Sequence, residues 1–172
     1  MLSMVEYVHE RMSTYKKREI GADFTMGKGN DTVFLSELCD QVYSFDIQDE
    51  ALETTRKKLV HDNVKLIKDS HEHLDDYLSS FDIGVFNLGY LPSFSHEITT
   101  VLASTEVALK KAIDAMTQVL FVVCYIGHEE GKKEAAWIDE YVSALDHKQY
   151  NVSTYRMMNK PLSPYVIEIQ KR

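Results

Sequence analysis

Cysteine is scarce: Cys39 and Cys124 are the only two. A pair of thiols cannot build a dense disulfide framework, and this spacing fits no metal signature. Both lie in apolar surroundings and read as buried small hydrophobes. No apolar run approaches the roughly 18 residues that a membrane span needs. The opening stretch, MLSMVEYVHERMSTYKKR, lacks the apolar segment and cleavage site of a secretory signal, so a cytoplasmic location is expected. Positive charge is short as well: 19 Lys and Arg face 27 Asp and Glu, a formal net charge of −8. That balance excludes tight, sequence-blind binding of nucleic acid, which draws its affinity from phosphate neutralisation. It leaves room for a nucleic-acid substrate held briefly. The cations that exist are clustered, and Arg11, Lys16, Lys17 and Arg18 form the expected substrate-steering strip.

What is present fits one domain over residues 1–172, with 44% hydrophobic residues for its core. A helix is expected over about 3–18, capped by Ser3, then a strand over Ile20–Thr25 and a glycine turn. Asn30 or Asp31 caps a second helix. Further strands are expected at Val42–Ile47, Val64–Ile67 and Phe81–Phe86. The helix opened by Asp49 runs to Leu59, with acids early and Arg56, Lys57 and Lys58 late, as the helix dipole favours. Ser70 begins a short helix. A longer one runs from Thr100 to about Met116. Thr117–Tyr125 (TQVLFVVCY) is nearly all apolar, as expected for a strand covered on both faces. A turn at Gly127–Gly131, a helix over Lys132–Leu145 and two strands, Tyr150–Met158 and Tyr165–Ile169, complete the chain. This order predicts a Rossmann-like, doubly wound, seven-stranded mixed sheet with helices on both faces and an antiparallel C-terminal edge.

The candidate ligand site begins at Asp23–Thr32 (DFTMGKGNDT). Gly27 and Gly29, between a strand and a helix, let a ligand lie against bare backbone, and the helix start offers free N–H groups. A lone G-x-G is a weak signal, but the flanking elements and Asp23 strengthen it. Asp46 ends the second strand, where a carboxylate accepts both hydroxyls of a ribose. Asp69, after the third strand, is placed to accept from the exocyclic amine of an adenine. Thr25, Asn30, Asp31, Gln48, Ser70, His71 and Asn87 are counted as further cofactor contacts. A dinucleotide fold asks for a third small residue where this chain has Thr32, and Asp31 would repel a pyrophosphate. An ammonium and a sulfonium suit these acids better. S-adenosylmethionine is therefore the expected cofactor, with Asp23 pairing the ammonium and the N–H groups of Gly27–Asn30 taking the carboxylate.

The segment Asn87–Pro92 (NLGYLP) follows the fourth strand at the edge where open α/β sheets bind ligands. Methyl transfer to nitrogen needs a neutral lone pair about 3 Å from the methyl carbon and in line with the C–S bond. Asn87 and the Leu88 carbonyl are candidates to orient an amine, and Tyr90 to stack on a planar acceptor or shield it. His128 is the candidate that helps remove a proton. The His71-Glu72-His73 run does not place its ligands on one helix face, so no metal is expected.

These motifs together carry a resemblance. DFTMGKGNDTVFL (Asp23–Leu35), FDIQ (Phe45–Gln48), DSHE (Asp69–Glu72), FNLGYLP (Phe86–Pro92) and YIGHEEGKKE (Tyr125–Glu134) resemble the class I methyltransferases of the rRNA methylase family. That family is associated with bacterial tRNA 5-(aminomethyl)-2-thiouridine methylation. The resemblance implies methylation of the aminomethyl group on wobble 2-thiouridine (U34) of tRNA, with S-adenosylhomocysteine as product. It also implies that Asp23, Gly27, Gly29, Asp46 and Asp69 contact the cofactor, with Asn87, Tyr90 and His128 at the reaction site. This chain departs from the family at Phe24, Lys28 and Asn30, and lacks the usual P-G-G turn before its fifth strand. A tRNA substrate, no membrane and no obligate protein partner are expected, with a homodimer left open. A small-molecule amine methyltransferase and a non-catalytic nucleoside-binding protein are the competing readings.

Overall fold

The computed structural model of the chain describes residues 1–89 and 102–172. The strands are β1 (Ile20–Asp23), β2 (Gln41–Asp46), β3 (Val64–Lys68), β4 (Phe81–Asn87), β5 (Met116–Cys124), β6 (Tyr150–Tyr155) and β7 (Tyr165–Lys171). The helices are α1 (Met4–Met12), α2 (Asn30–Leu38), α3 (Asp49–Lys58), α4 (Leu102–Ala115) and α5 (Glu129–Ser143), with a 3-10 turn over His71–Asp76. All seven strands join one sheet in the order β3-β2-β1-β4-β5-β7-β6. The first five are parallel, and β7 runs antiparallel to both β5 and β6. The order reverses between β1 and β4, which opens a crevice at the carboxyl edge between them.

Strand alternation divides the core between the two faces. Along β5, Val119, Phe121 and Val123 face Val8, Met12 and Leu35 of α1 and α2. The intervening Leu120, Val122 and Cys124 face Leu109, Ile113 and Ile138 of α4 and α5. Strand β4 breaks this alternation with a register shift between Phe81 and Ile83. The Phe81 ring folds over Gly84, where a Cβ would stand 2.5 Å from a ring carbon. Both cysteines are buried, and burial raises each thiol to about 12, so neither is a thiolate at neutral pH.

Helix α1 ends at Met12, well short of residue 18. Its start is the expected one: Ser3 caps it in a full capping box with Glu6. After Met12 the apolar spacing stops, and the Arg18 guanidinium gathers the backbone carbonyls of Ser13 and Tyr15 into a turn. Helix α2 is capped by Gly29, not by Asn30 or Asp31, which are its first two residues. Helix α5 starts at Glu129, several residues earlier than expected, because the His128 side chain caps it. Strand β6 ends at Tyr155, and β7 extends to Lys171.

Candidate functional site

A cavity of about 550 Å³ occupies the crevice at the carboxyl edge, within the size range of small-molecule sites. The glycine turn forms its floor. Gly27 and Gly29 have φ of 55° and 87°, left-handed values that favour glycine. At Gly29 a second reason is visible: a Cβ there would lie 2.5 Å from Thr55 Oγ1 of α3. The missing side chain thus makes room for the neighbouring helix, whereas the sequence had suggested room for ligand. Lys58 Nζ, also on α3, reaches the Lys28 carbonyl at 2.6 Å and Asn30 Oδ1 at 3.4 Å, clamping the turn from outside.

Three aspartates surround this turn, each held differently. Asp46 accepts the Gly27 and Gln48 N–H groups, both at 3.0 Å. Burial raises its pKa while those backbone donors pull it back. Asp31 lines the cavity, 7% exposed, and Oδ1 pairs with His9 Nε2 at 2.8 Å. Asp23 lies deeper, wholly buried and off the cavity wall. Its oxygens accept from the Thr25 N–H at 3.1 Å and the Thr32 hydroxyl at 2.6 Å. Burial first, then the nearby Asp31, raises its pKa. These two bonds make Asp23 a support of the turn.

The remaining wall is legible residue by residue. The Thr25 hydroxyl accepts the Asn87 N–H at 2.7 Å, tying the ends of β1 and β4 together. Gln48 is 7% exposed, and its Oε1 is enclosed with no hydrogen-bond partner among the described residues. An orphaned buried acceptor is costly, so this atom calls for a donor such as a hydroxyl or amine. The Asp69 carboxylate accepts from the Ser70 N–H at 2.7 Å, from His73 Nδ1 at 2.8 Å and from the Tyr77 hydroxyl at 2.7 Å. Those contacts, His73 first, hold its pKa below the ordinary carboxylate value. His71 is buried, with Nδ1–H donating to the Phe24 carbonyl at 2.9 Å. Burial lowers its pKa and favours the neutral ring.

At the far end of the cavity stand Asn87, Gly89, Tyr125, Ile126 and His128. Burial raises the Tyr125 phenol above its ordinary pKa, and a hydrogen bond with Asn87 opposes that shift. His128 Nδ1 accepts the Gly131 N–H at 3.2 Å, and Nε2 is buried. His128 Nδ1 thus caps helix α5 while the ring lines the cavity. Leu88 is buried and does not line the cavity. Tyr90 and Pro92 lie outside the described residues.

Sequence reasoning missed Val5 of α1, Ser104 of α4, Tyr125, Ile126, and Leu162 and Pro164 before β7, all on the cavity wall. Tyr125 and Ile126 follow directly on the apolar run of β5, a position that marks the carboxyl edge. The others come from distant segments, and nothing in their local sequence announces it.

The basic strip is also elsewhere. Arg11 is bound to the buried Glu168 at 2.7 and 3.0 Å. The Lys17 N–H meets Gln118 near the start of β5, and the Glu19 N–H meets Asp82 near the start of β4. Lys16–Arg18 therefore sit at the amino edge of the sheet, opposite the cavity.

Fold and crevice together define an α/β domain of the class I methyltransferase kind. The chain belongs to the Putative rRNA methylase family, whose sequence profile matches residues 42–171. A structure described as a putative rRNA-methylase from Clostridium thermocellum is 34% identical, with a TM-score of 0.93 over 100% of this chain and 99% of that one. A putative methyltransferase from Streptococcus mutans, solved in complex with SAH, is 37% identical, with a TM-score of 0.91 over 100% and 99%. Among curated proteins, the chloroplastic tRNA (mnm(5)s(2)U34)-methyltransferase of Arabidopsis thaliana is 29% identical over 91% of this chain. The alignment covers 65% of that protein, so the chain spans just under two thirds of its length.

Proposed function

We propose that this chain is an S-adenosylmethionine-dependent methyltransferase acting on RNA, and that its acceptor is the 5-aminomethyl group of wobble 2-thiouridine in tRNA. The observation that carries the cofactor half is the crevice itself: a bare glycine turn, Asp31 and Asp46, and the orphaned Gln48 Oε1 in one cavity. These residues fit a nucleoside with a cationic tail. The S. mutans relative, solved with SAH, supports the same reading. The acceptor half rests on the resemblance to the chloroplastic enzyme.

Bound in the crevice, S-adenosylmethionine supplies a methyl group activated on sulfur, and S-adenosylhomocysteine is left. The chain's own part is to hold and desolvate. Asp46 and Gln48 take ribose hydroxyls, and Asp69 with Ser70 borders the adenine. Asn87 accepts an N–H of the acceptor amine and so directs its lone pair. The apolar rim of Val5, Ile126, Leu162 and Pro164 excludes water and favours the uncharged, nucleophilic amine. Tyr90 is kept as a candidate contact to the acceptor base.

The tRNA approaches the carboxyl edge. The β6–β7 connection lies there, as does the start of α5, and both carry exposed lysines: Lys160, Lys132 and Lys133. These take the phosphate-contacting role that the sequence alone had given to Arg11 and Lys16–Arg18.

The test is nucleoside mass spectrometry of tRNA that lacks the final methyl, after incubation with protein and cofactor. One added methyl on the aminomethyl base is expected. Methylation of small amines with tRNA untouched would transfer the function to a metabolite acceptor. Cofactor binding without turnover on either would make the chain a nucleoside-binding protein.

A further inference from the structure

We infer that His9, on the N-terminal helix, is a positioning residue for the amino-acid tail of the cofactor and acts through Asp31. The inference rests on the reading of the crevice as an S-adenosylmethionine site and adds α1 to that site.

Asp31 is the second residue of α2 and lies on the cavity wall. His9 Nε2 holds one of its oxygens at 2.8 Å, and the other oxygen takes no hydrogen bond among the described residues. The His9 ring is itself fixed, lying flat on Phe34 with centroids 4.0 Å apart and planes 4° from parallel. Phe34 stands three residues beyond Asp31 on the same helix, so ring and carboxylate share one face of α2. Four residues before His9, Val5 of α1 reaches the cavity. Helix α1 therefore brings both an apolar wall and a fixed hydrogen-bond donor to the crevice.

Charge decides which part of the ligand belongs here. Asp31 and Asp46 lie close enough to Asp23 to raise its pKa. Among the described residues, no Lys or Arg is paired with any of the three. Such a cluster favours a cation. Asp23, the expected partner of the α-ammonium, is wholly buried and off the wall. Asp31 has an oxygen to spare and is on it. With one oxygen occupied by His9, the carboxylate presents the other to the ligand in a single orientation.

The experiment is calorimetric titration of two ligands. S-adenosylhomocysteine has the amino-acid tail; 5′-methylthioadenosine has the nucleoside and sulfur without it. His9→Ala is expected to weaken S-adenosylhomocysteine about tenfold, the loss of one charge-assisted hydrogen bond, while methylthioadenosine changes less than about twofold. Asp31→Asn is expected to show the same selectivity, and the double variant less than the product of the two. His9→Gln, which keeps a side-chain N–H, should recover part of the loss. Equal weakening of both ligands, or of neither, would overturn the role of His9. If the unaltered chain binds neither ligand, it is the cofactor reading that fails.

Discussion

Two sets of acids in this molecule, buried or half-buried, are built to opposite ends. Glu168, on β7, is 4% exposed and receives the Arg11 guanidinium through two bonds, with Tyr15 and Gln170 completing its shell. It is a closed arrangement that staples α1 and the following turn to the sheet. Asp23, Asp31 and Asp46, at the carboxyl edge, have backbone N–H groups, a threonine hydroxyl and one histidine, with no paired Lys or Arg among the described residues. Burying a charge without a counter-charge is unfavourable. The first group spends its charge on the fold. The second keeps charge in reserve, and a cationic ligand would complete it.

That contrast can be broken at either end. Glu168→Ala is expected to have the largest effect, lowering unfolding free energy by about 3 kcal/mol because it strands a partly buried Arg11. Cofactor affinity should stay within about twofold, and chemical denaturation together with calorimetry would show whether it does. Asp46→Ala should invert the pattern: cofactor affinity falls by about 2 kcal/mol, the range of hydrogen bonds to a charged group. Unchanged calorimetric affinity would remove Asp46 from the site.

A further buried acid sharpens the comparison through pH. Glu134 of α5 accepts the Thr105 hydroxyl at 2.7 Å, and burial raises its pKa from 4.5 to about 7. The folded state then holds this proton more tightly than the unfolded state. Its contribution is fully present below pH 4.5 and is lost as pH rises to about 7. Glu134→Gln should abolish that slope, so the variant gains on the parent steadily as pH rises between those limits. Parallel stability curves from pH 4.5 to 8 would contradict the assignment. The smallest effect is expected from Lys16→Ala with Lys17→Ala, on the amino edge: tRNA affinity should change less than about twofold. Lys132→Ala with Lys160→Ala should weaken it several-fold and flatten its salt dependence. A filter-binding series at several salt concentrations separates the two edges.

Much of the frame was legible before the structure. The apolar run of β5 and the charge order of α3 are strong local signals, and they place the carboxyl edge with its glycine turn. The end of α1 was misread because Ser13–Lys17 is polar without being a helix breaker, and the turn there is made by Arg18 folding back. Orientation was the harder matter. Asp23 reads as a ligand contact, and only the fold shows Thr32, nine residues on, donating to one of its oxygens. His9 and Asp31 are 22 residues apart, on different helices, and no periodicity links them. His128 stands out in the sequence by its place just after β5; only the geometry of the Gly131 N–H shows the ring capping a helix.

The contact between Gly29 and Thr55 has a consequence for anyone who would transplant this crevice. The glycine turn is shaped partly by α3, from which a threonine fills the space a Cβ would need. Grafted alone onto another doubly wound scaffold, the ten-residue motif from Asp23 to Thr32 would lose the packing partner that holds its curvature. The smallest portable unit runs from β1 through α3, with the small residue at 29 and the threonine at 55 moved as a pair.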